Sequence, residues 1–182
     1  MTHQATQELL NWVEKLPAQE KAYALDMHEY MANKGIKPRM NWNKKLPCEN
    51  FKYWHKGFPV VNMRRNLNRN GPLCIGIEYR LKDGVNDIVS LVEACSGEPD
   101  SEGLLNYIIK NVCCCNRCGD NRRDCKKWVE FGGVRRKLAQ CQFFVSNSKA
   151  PKARVNHTDD DIHQLKRLAD MRMKQIAKFK EL

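Results

Sequence analysis

Apolar residues recur at helical spacing from the start of the chain. Ala5, Leu9, Val13 and Leu16 fall on one side of a helix over residues 4–16, with Trp12 beside them. Pro17 breaks this pattern, and its fixed φ suits the first turn of a second helix from Ala18 to Asn33. Tyr23, Met27, Tyr30 and Met31 share a side of that helix, and Gly35 stands where a C-terminal cap is needed. The two form a helical hairpin whose aromatic and Met stripe reads as core.

The period then changes. Residues 58–65 and 73–81 read as strands around the turn Asn68-Arg69-Asn70-Gly71-Pro72. Alternation puts Val61, Met63, Ile75, Ile77, Tyr79 and Leu81 on one face and Asn62, Arg64, Gly76, Glu78 and Arg80 on the other. If the strands pair, Glu78 lies near Arg64 or beside Arg80. The stretch from Lys34 up to the first of these strands reads as loop.

Helical spacing returns at Val85, Ile88, Val92 and Cys95, and again at Leu105, Ile108, Ile109 and Val112 behind the N-cap candidate Ser101. Gly132-Gly133, between two apolar-containing runs, signals a hairpin, and residues 141–145 add a strand. Thr158 caps a last helix, with Asp159, Asp160 and Asp161 favourable to its dipole. Its buried side carries Ile162, Leu165, Ala169, Met173 and Ile176. The expected fold is α+β: a small antiparallel sheet with an N-terminal helical hairpin and a C-terminal helix, in a single domain over residues 1–182.

Charge adds a second layer. The 182 residues include 32 Lys and Arg against 21 Asp and Glu, a formal net charge of +11. Between Lys34 and Cys74 ten bases oppose only Glu49, interleaved with Trp42, Phe51, Tyr53, Trp54, His55 and Phe58. From Glu78 to Glu102 the balance reverses, with seven acids against two bases. No window approaches the roughly 18 apolar residues of a membrane span, and the first residues lack the pattern of a secretory signal. These features lead to the expectation of a cytoplasmic protein that does not enter a membrane.

Nine cysteines require an account. An odd number without a secretory signal argues against a disulfide scaffold. Cys48, Cys74 and Cys95 are scattered among apolar neighbours and read as small buried side chains. The rest are concentrated between residues 113 and 141. Cys115, Cys118, Cys125 and Cys141 form a Cys-x2-Cys-x6-Cys-x15-Cys series, able to close a tetrahedral four-thiolate zinc shell in a ribbon- or knuckle-like insertion over 113–141. The Gly132-Gly133 turn would bring Cys141 back toward Cys125. Cys113 and Cys114 are alternate ligands. Four thiolates leave no open position, so the expected zinc is structural.

Nine bases against three acids between Lys110 and Lys137 surround these thiols. They serve to neutralise a zinc–tetrathiolate or to attract an anion. Backbone phosphates draw Lys and Arg through counterion release, and unstacked bases sit on aromatic rings. Lys44, Lys45, Arg64, Arg65, Arg69, Arg122 and Arg123 are therefore candidates for contact with nucleic acid or another anion. The alternative is a pocket over the sheet for an anionic small molecule, lined by Trp54, Asn62, Arg64, Glu78 and Arg80. A thiol redox protein using Cys115 and Cys118 is a further alternative. No Walker loop, GxGxxG, HExxH or GxSxG is present. A non-catalytic, zinc-containing binding protein that contacts nucleic acid through a basic surface is the leading expectation.

Overall fold

The computed structural model describes residues 2–40, 48–66, 73–78, 95, 97–114, 126–131, 134–139, 143–146 and 158–181. Among them are four helices: α1 (Thr2–Val13), α2 (Ala18–Asn33), α3 (Ser101–Asn111) and α4 (Asp159–Glu181). The strands are β1 (Pro38–Met40), β2 (Cys48–His55), β3 (Phe58–Asn66), β4 (Cys74–Glu78), β5 (Val112–Cys114), β6 (Lys126–Phe131), β7 (Val134–Ala139) and β8 (Phe143–Ser146). Their combination makes the fold α+β.

Six strands form one sheet in the order β1-β2-β3-β4-β8-β5, and every neighbouring pair is antiparallel. β1 to β4 run as a meander in chain order. β6 and β7 form a separate two-stranded sheet, and the Phe131↔Val134 pairing agrees with the expected hairpin around residues 132–133.

Two local devices end and begin helices as the chain chemistry requires. Gly35, at φ 72°, donates to the Ala32 carbonyl at 2.8 Å, while the Ile36 N–H reaches the Met31 carbonyl at 3.0 Å. This is a Schellman closure, and buried Ile36 and Met31 are placed to pack across it. At the start of α4 the Thr158 hydroxyl oxygen accepts from the Asp161 N–H at 3.1 Å, and the Asp161 carboxylate accepts from the Thr158 N–H at 2.9 Å. That reciprocal pair is a capping box with Asp in the acidic position. α3 begins at Ser101 itself, so the cap position belongs to Asp100, whose carbonyl accepts from Leu104 N–H.

The expected loop after Lys34 is corrected by β1 and β2. Phe51 and Tyr53 alternate with Asn50, Lys52 and Trp54, which is a strand period inside basic text. Lys56 (φ 47°) and Gly57 (φ 87°) then form a two-residue turn with both φ positive, the mirror-image turn that matches strand twist. Gly57 supplies the conformation cheaply; Lys56 adopts it against its side chain's preference. The helix expected across Val85–Cys95 falls outside the described residues except Cys95, which is helical.

Register sorts the sheet into two chemically different faces. Phe51, Met63 and Ile75 are aligned across β2, β3 and β4, and so are Tyr53, Val61 and Ile77. All six are fully buried. The Trp12 ring of α1 meets Phe51 at 5.1 Å between centroids, and His28 Nδ1 of α2 is hydrogen-bonded to Tyr53 Oη at 2.9 Å. α4 lies against β3 and β4, and its buried Leu165, Leu168, Ala169 and Ile176 join the same core. The helices thus cover the apolar face. Lys166–Asp26 (2.6 Å) and Lys34–Asp170 (2.7 Å) tie α4 to α2 at the rim, with both ammonium groups over the Tyr30 ring.

Burial lowers the His28 pKa from 6.5, outweighing the opposing charge of Glu29. The folded state therefore binds fewer protons than the unfolded state below about pH 6.5, and stability falls with acid there. Thermal melts of wild type between pH 8 and 5 should show a plateau above about 6.5 and a decline below it. His55, also lowered by burial, adds to the decline. His28→Gln keeps a polar partner for Tyr53 and should make the decline shallower; an unchanged pH profile would refute the assignment to His28.

Candidate functional site

The opposite face of the sheet is polar. Arg39, Lys52, Asn62 and Gly76 stand in one row across β1 to β4, continued by the Ser146 backbone on β8. The adjacent row is Asn50, Arg64 and Cys74. Two residues beyond Gly76 on the same strand, Glu78 belongs to this face as well. Asn62 is thus the direct neighbour of Lys52 and a diagonal neighbour of Asn50 and Glu78, with Cβ separations of about 7–8 Å for the diagonals.

Burial makes these polar groups unusual. Asn62 is 5% exposed and Glu78 1% exposed. Lys52 crosses β3 to place its Nζ 2.6 Å from Glu78 Oε2, with the lysine side chain only 12% exposed. Glu78 carries a further polar or electrostatic contact besides Lys52. The side-chain oxygens of Asn62 and Asn50 are both buried and accept no hydrogen bond among the described residues. A buried amide oxygen without a donor costs on the order of 1–3 kcal/mol, so a fold that retains two such atoms side by side holds unspent acceptor capacity. Gly76 matters here because it has no side chain. It is itself buried, as are Cys74 and Glu78 on the same strand and Asn62 beside it, and a strand glycine marks a place where another group packs closely against the backbone.

Sequence reasoning put Asn62, Arg64, Gly76 and Glu78 on one face, and the register agrees. It placed Glu78 near Arg64 or Arg80; among the described residues the Lys52 ammonium, two strands away, is paired with Glu78, and Arg80 lies outside them. Lys52, Asn50 and Arg39 were missed as parts of this face because β1 and β2 read as loop. Their signal was the Phe51/Tyr53 alternation and the Lys56-Gly57 turn. Trp54 is half-buried at the irregularity between Tyr53 and Trp54. Arg64 is exposed, and the Arg65 guanidinium donates to the Lys15 carbonyl at 3.4 Å, away from this cluster. Arg80, Lys44, Lys45, Arg69, Arg122 and Arg123 lie outside the described residues.

The expected metal ligands Cys115, Cys118, Cys125 and Cys141 also lie outside the described residues, and Cys113 and Cys114 are described only as backbone of β5. Among the described residues, no group of three or more His, Cys, Asp and Glu side chains is placed to hold a metal. Cys74, on the polar face, and Cys95, in the core, are both buried and in no disulfide, as expected of small buried side chains. Burial pushes the Cys95 thiol up to about 11, leaving it protonated and unreactive at neutral pH. No described helix is long and apolar enough to cross a membrane.

Comparison with family models, curated proteins and solved structures returns no match to this chain.

Lys52→Met removes the ammonium from a carboxylate that stays buried, and should destabilise by about 3–5 kcal/mol in denaturant unfolding. Lys52→Met combined with Glu78→Leu should recover most of that loss, since neither charge then remains. Equal damage from the single and double variants would mean that the pair is not the source of the cost.

Proposed function

We propose that this is a non-catalytic binding protein that takes a small anionic ligand on the polar face of its sheet, with zinc as a structural clamp. The observation that carries the reading is the buried oxygen of Asn62, which finds no donor among the described residues and so calls for a ligand that brings an N–H or O–H group as well as its negative charge. Charge supports it: the described residues of this face include the cations Arg39, Lys52 and Arg64 and one carboxylate, Glu78. An anion entering the face therefore meets a positive surround, while Lys52 and Glu78 neutralise each other at its floor.

Asn62 has a stability cost that a donor-bearing ligand offsets. Asn62→Leu keeps the branching and number of heavy atoms and removes the unsatisfied oxygen, so it should stabilise the ligand-free protein by about 1–2 kcal/mol, or roughly 3–6 °C in Tm. The same variant should weaken the thermal shifts given by those anions in a screen that also bring an N–H or O–H donor to this oxygen. A fall in Tm of similar size would show that the oxygen is satisfied without ligand, and the reading fails.

The zinc proposal rests on spacing, and the paired strand ends support it. β5 ends at Cys114, opposite Phe143, and β6 begins at Lys126, opposite Ala139. Cys115 directly follows the first of these pairs in sequence, Cys125 directly precedes the second, and Cys141 stands midway between Ala139 and Phe143. In sequence, then, Cys115 adjoins the β5–β8 pairing, Cys125 adjoins the β6–β7 pairing, and Cys141 lies on the stretch that joins the two. Elemental analysis of the purified protein should find about one zinc per chain. Loss of the ion should lower Tm, and Cys125→Ser and Cys141→Ser should each reduce zinc content. Metal-free protein of unchanged stability would remove the clamp.

Exposed Lys37, Arg39 and Lys56 border the polar face and favour a second reading, contact with nucleic acid. Fluorescence anisotropy with single- and double-stranded oligonucleotides separates the two. Binding that weakens steeply and linearly in log salt supports a polyanion; flat curves at low salt leave the small anion alone.

A further inference from the structure

Resting on the small-anion reading above, the geometry points to a narrower ligand class: an acid that also carries an amino group, with the amino group held by Asn50 and Asn62. The chemistry of the two oxygens is the reason. Each belongs to an amide, each is buried, and each lacks a donor. An amide oxygen only accepts, so a plain phosphate or carboxylate, itself an acceptor, cannot satisfy either one. The ligand must bring N–H or O–H groups.

The arrangement also selects among donors. Asn50 pairs with Arg64 on β3, and Asn62 lies two residues before Arg64 on that strand, so the two amides are diagonal neighbours on one face. At that spacing a single group seated between the two side chains can reach both. A hydroxyl offers one hydrogen and satisfies one oxygen. An amino or ammonium group offers two or three, and satisfies both.

The acid end has its own partners. Arg39 lies in the Asn62 row on β1, and Arg64 is the direct cross-strand neighbour of Asn50; both are exposed. A guanidinium presents donors in the fork that carboxylates and phosphates accept. Lys52 is already engaged by Glu78 at 2.6 Å, which keeps the floor of the face neutral, so the ligand's acid falls to Arg39, and Arg64, which has an interaction of its own, adds its charge. The class thus includes amino acids, amino-sugar phosphates and nucleotides with an exocyclic amine.

Isothermal titration with matched pairs tests the assignment: glutamate against 2-hydroxyglutarate, glucosamine 6-phosphate against glucose 6-phosphate, and AMP against IMP. In at least one pair the amino member should bind about tenfold more tightly. Asn62→Leu should abolish that preference while retaining the weaker affinity, and Asn50→Leu, at a half-buried position, should do the same if the first variant fails to fold. Equal affinities within every pair that binds would overturn the amino-group assignment and leave the anion site standing. A preference that survives both variants would overturn the role of these amides. If no member of any pair binds, the anion site itself falls, and this inference with it.

Discussion

The pairing register of β2, β3 and β4 is the constraint on which the rest of this structure depends. Side chains alternate along a strand, so a slip of one residue on β3 would carry Val61 and Met63 to the polar face and Asn62 and Arg64 to the helices. The observed register instead aligns Phe51 with Met63 and Ile75, and Tyr53 with Val61 and Ile77. These rows are the floor on which α1, α2 and α4 pack. Burial of such side chains contributes about 1.5–3 kcal/mol each, so the wrong register forfeits several of these at once. The polar rows are positioned as a by-product of that choice.

The two faces differ in what holds them. On the helical side, stability comes from apolar contact, with hydrogen bonds such as His28–Tyr53 meeting the few polar needs. On the other side, Lys52 and Glu78 are paired at 2.6 Å in a setting nearly closed to water. Removing both charges from water costs several kcal/mol per ion, which their attraction only roughly repays. A buried pair of this kind, beside two unsatisfied amides, adds little to folding. It is nonetheless costly to break, because removing either partner leaves the other charge buried alone.

Much of the architecture was legible in the chain. Helix α2 runs from Ala18 to Asn33 because Pro17 and Gly35 bracket it, and both signals act locally. Thr158 opens α4 for the same reason: its hydroxyl needs only the next turn of the helix. The hydrophobic alternation of β3 and β4 likewise showed which face Asn62 and Glu78 would take. β1 and β2 escaped because charge and aromatic density masked a short alternation, and because Pro38–Met40 is too brief to show a period. Part of the candidate site was lost with them.

What the linear sequence determined were features whose causes lie within one turn or a single strand: caps, helix faces, the inward and outward sides of β3 and β4, and the thiol spacing of Cys115, Cys118, Cys125 and Cys141. Tertiary structure alone brought the Lys52 ammonium to Glu78. Lys52 is 26 residues away in sequence and lies across an intervening strand; β2–β3–β4 pairing brings its flexible stem within reach. It also decided that Asn50 and Asn62 would share a face with their oxygens buried and unpaired. Pairing partners across strands depend on register, and register is settled by summing apolar burial over the whole sheet, a quantity no local stretch of sequence contains.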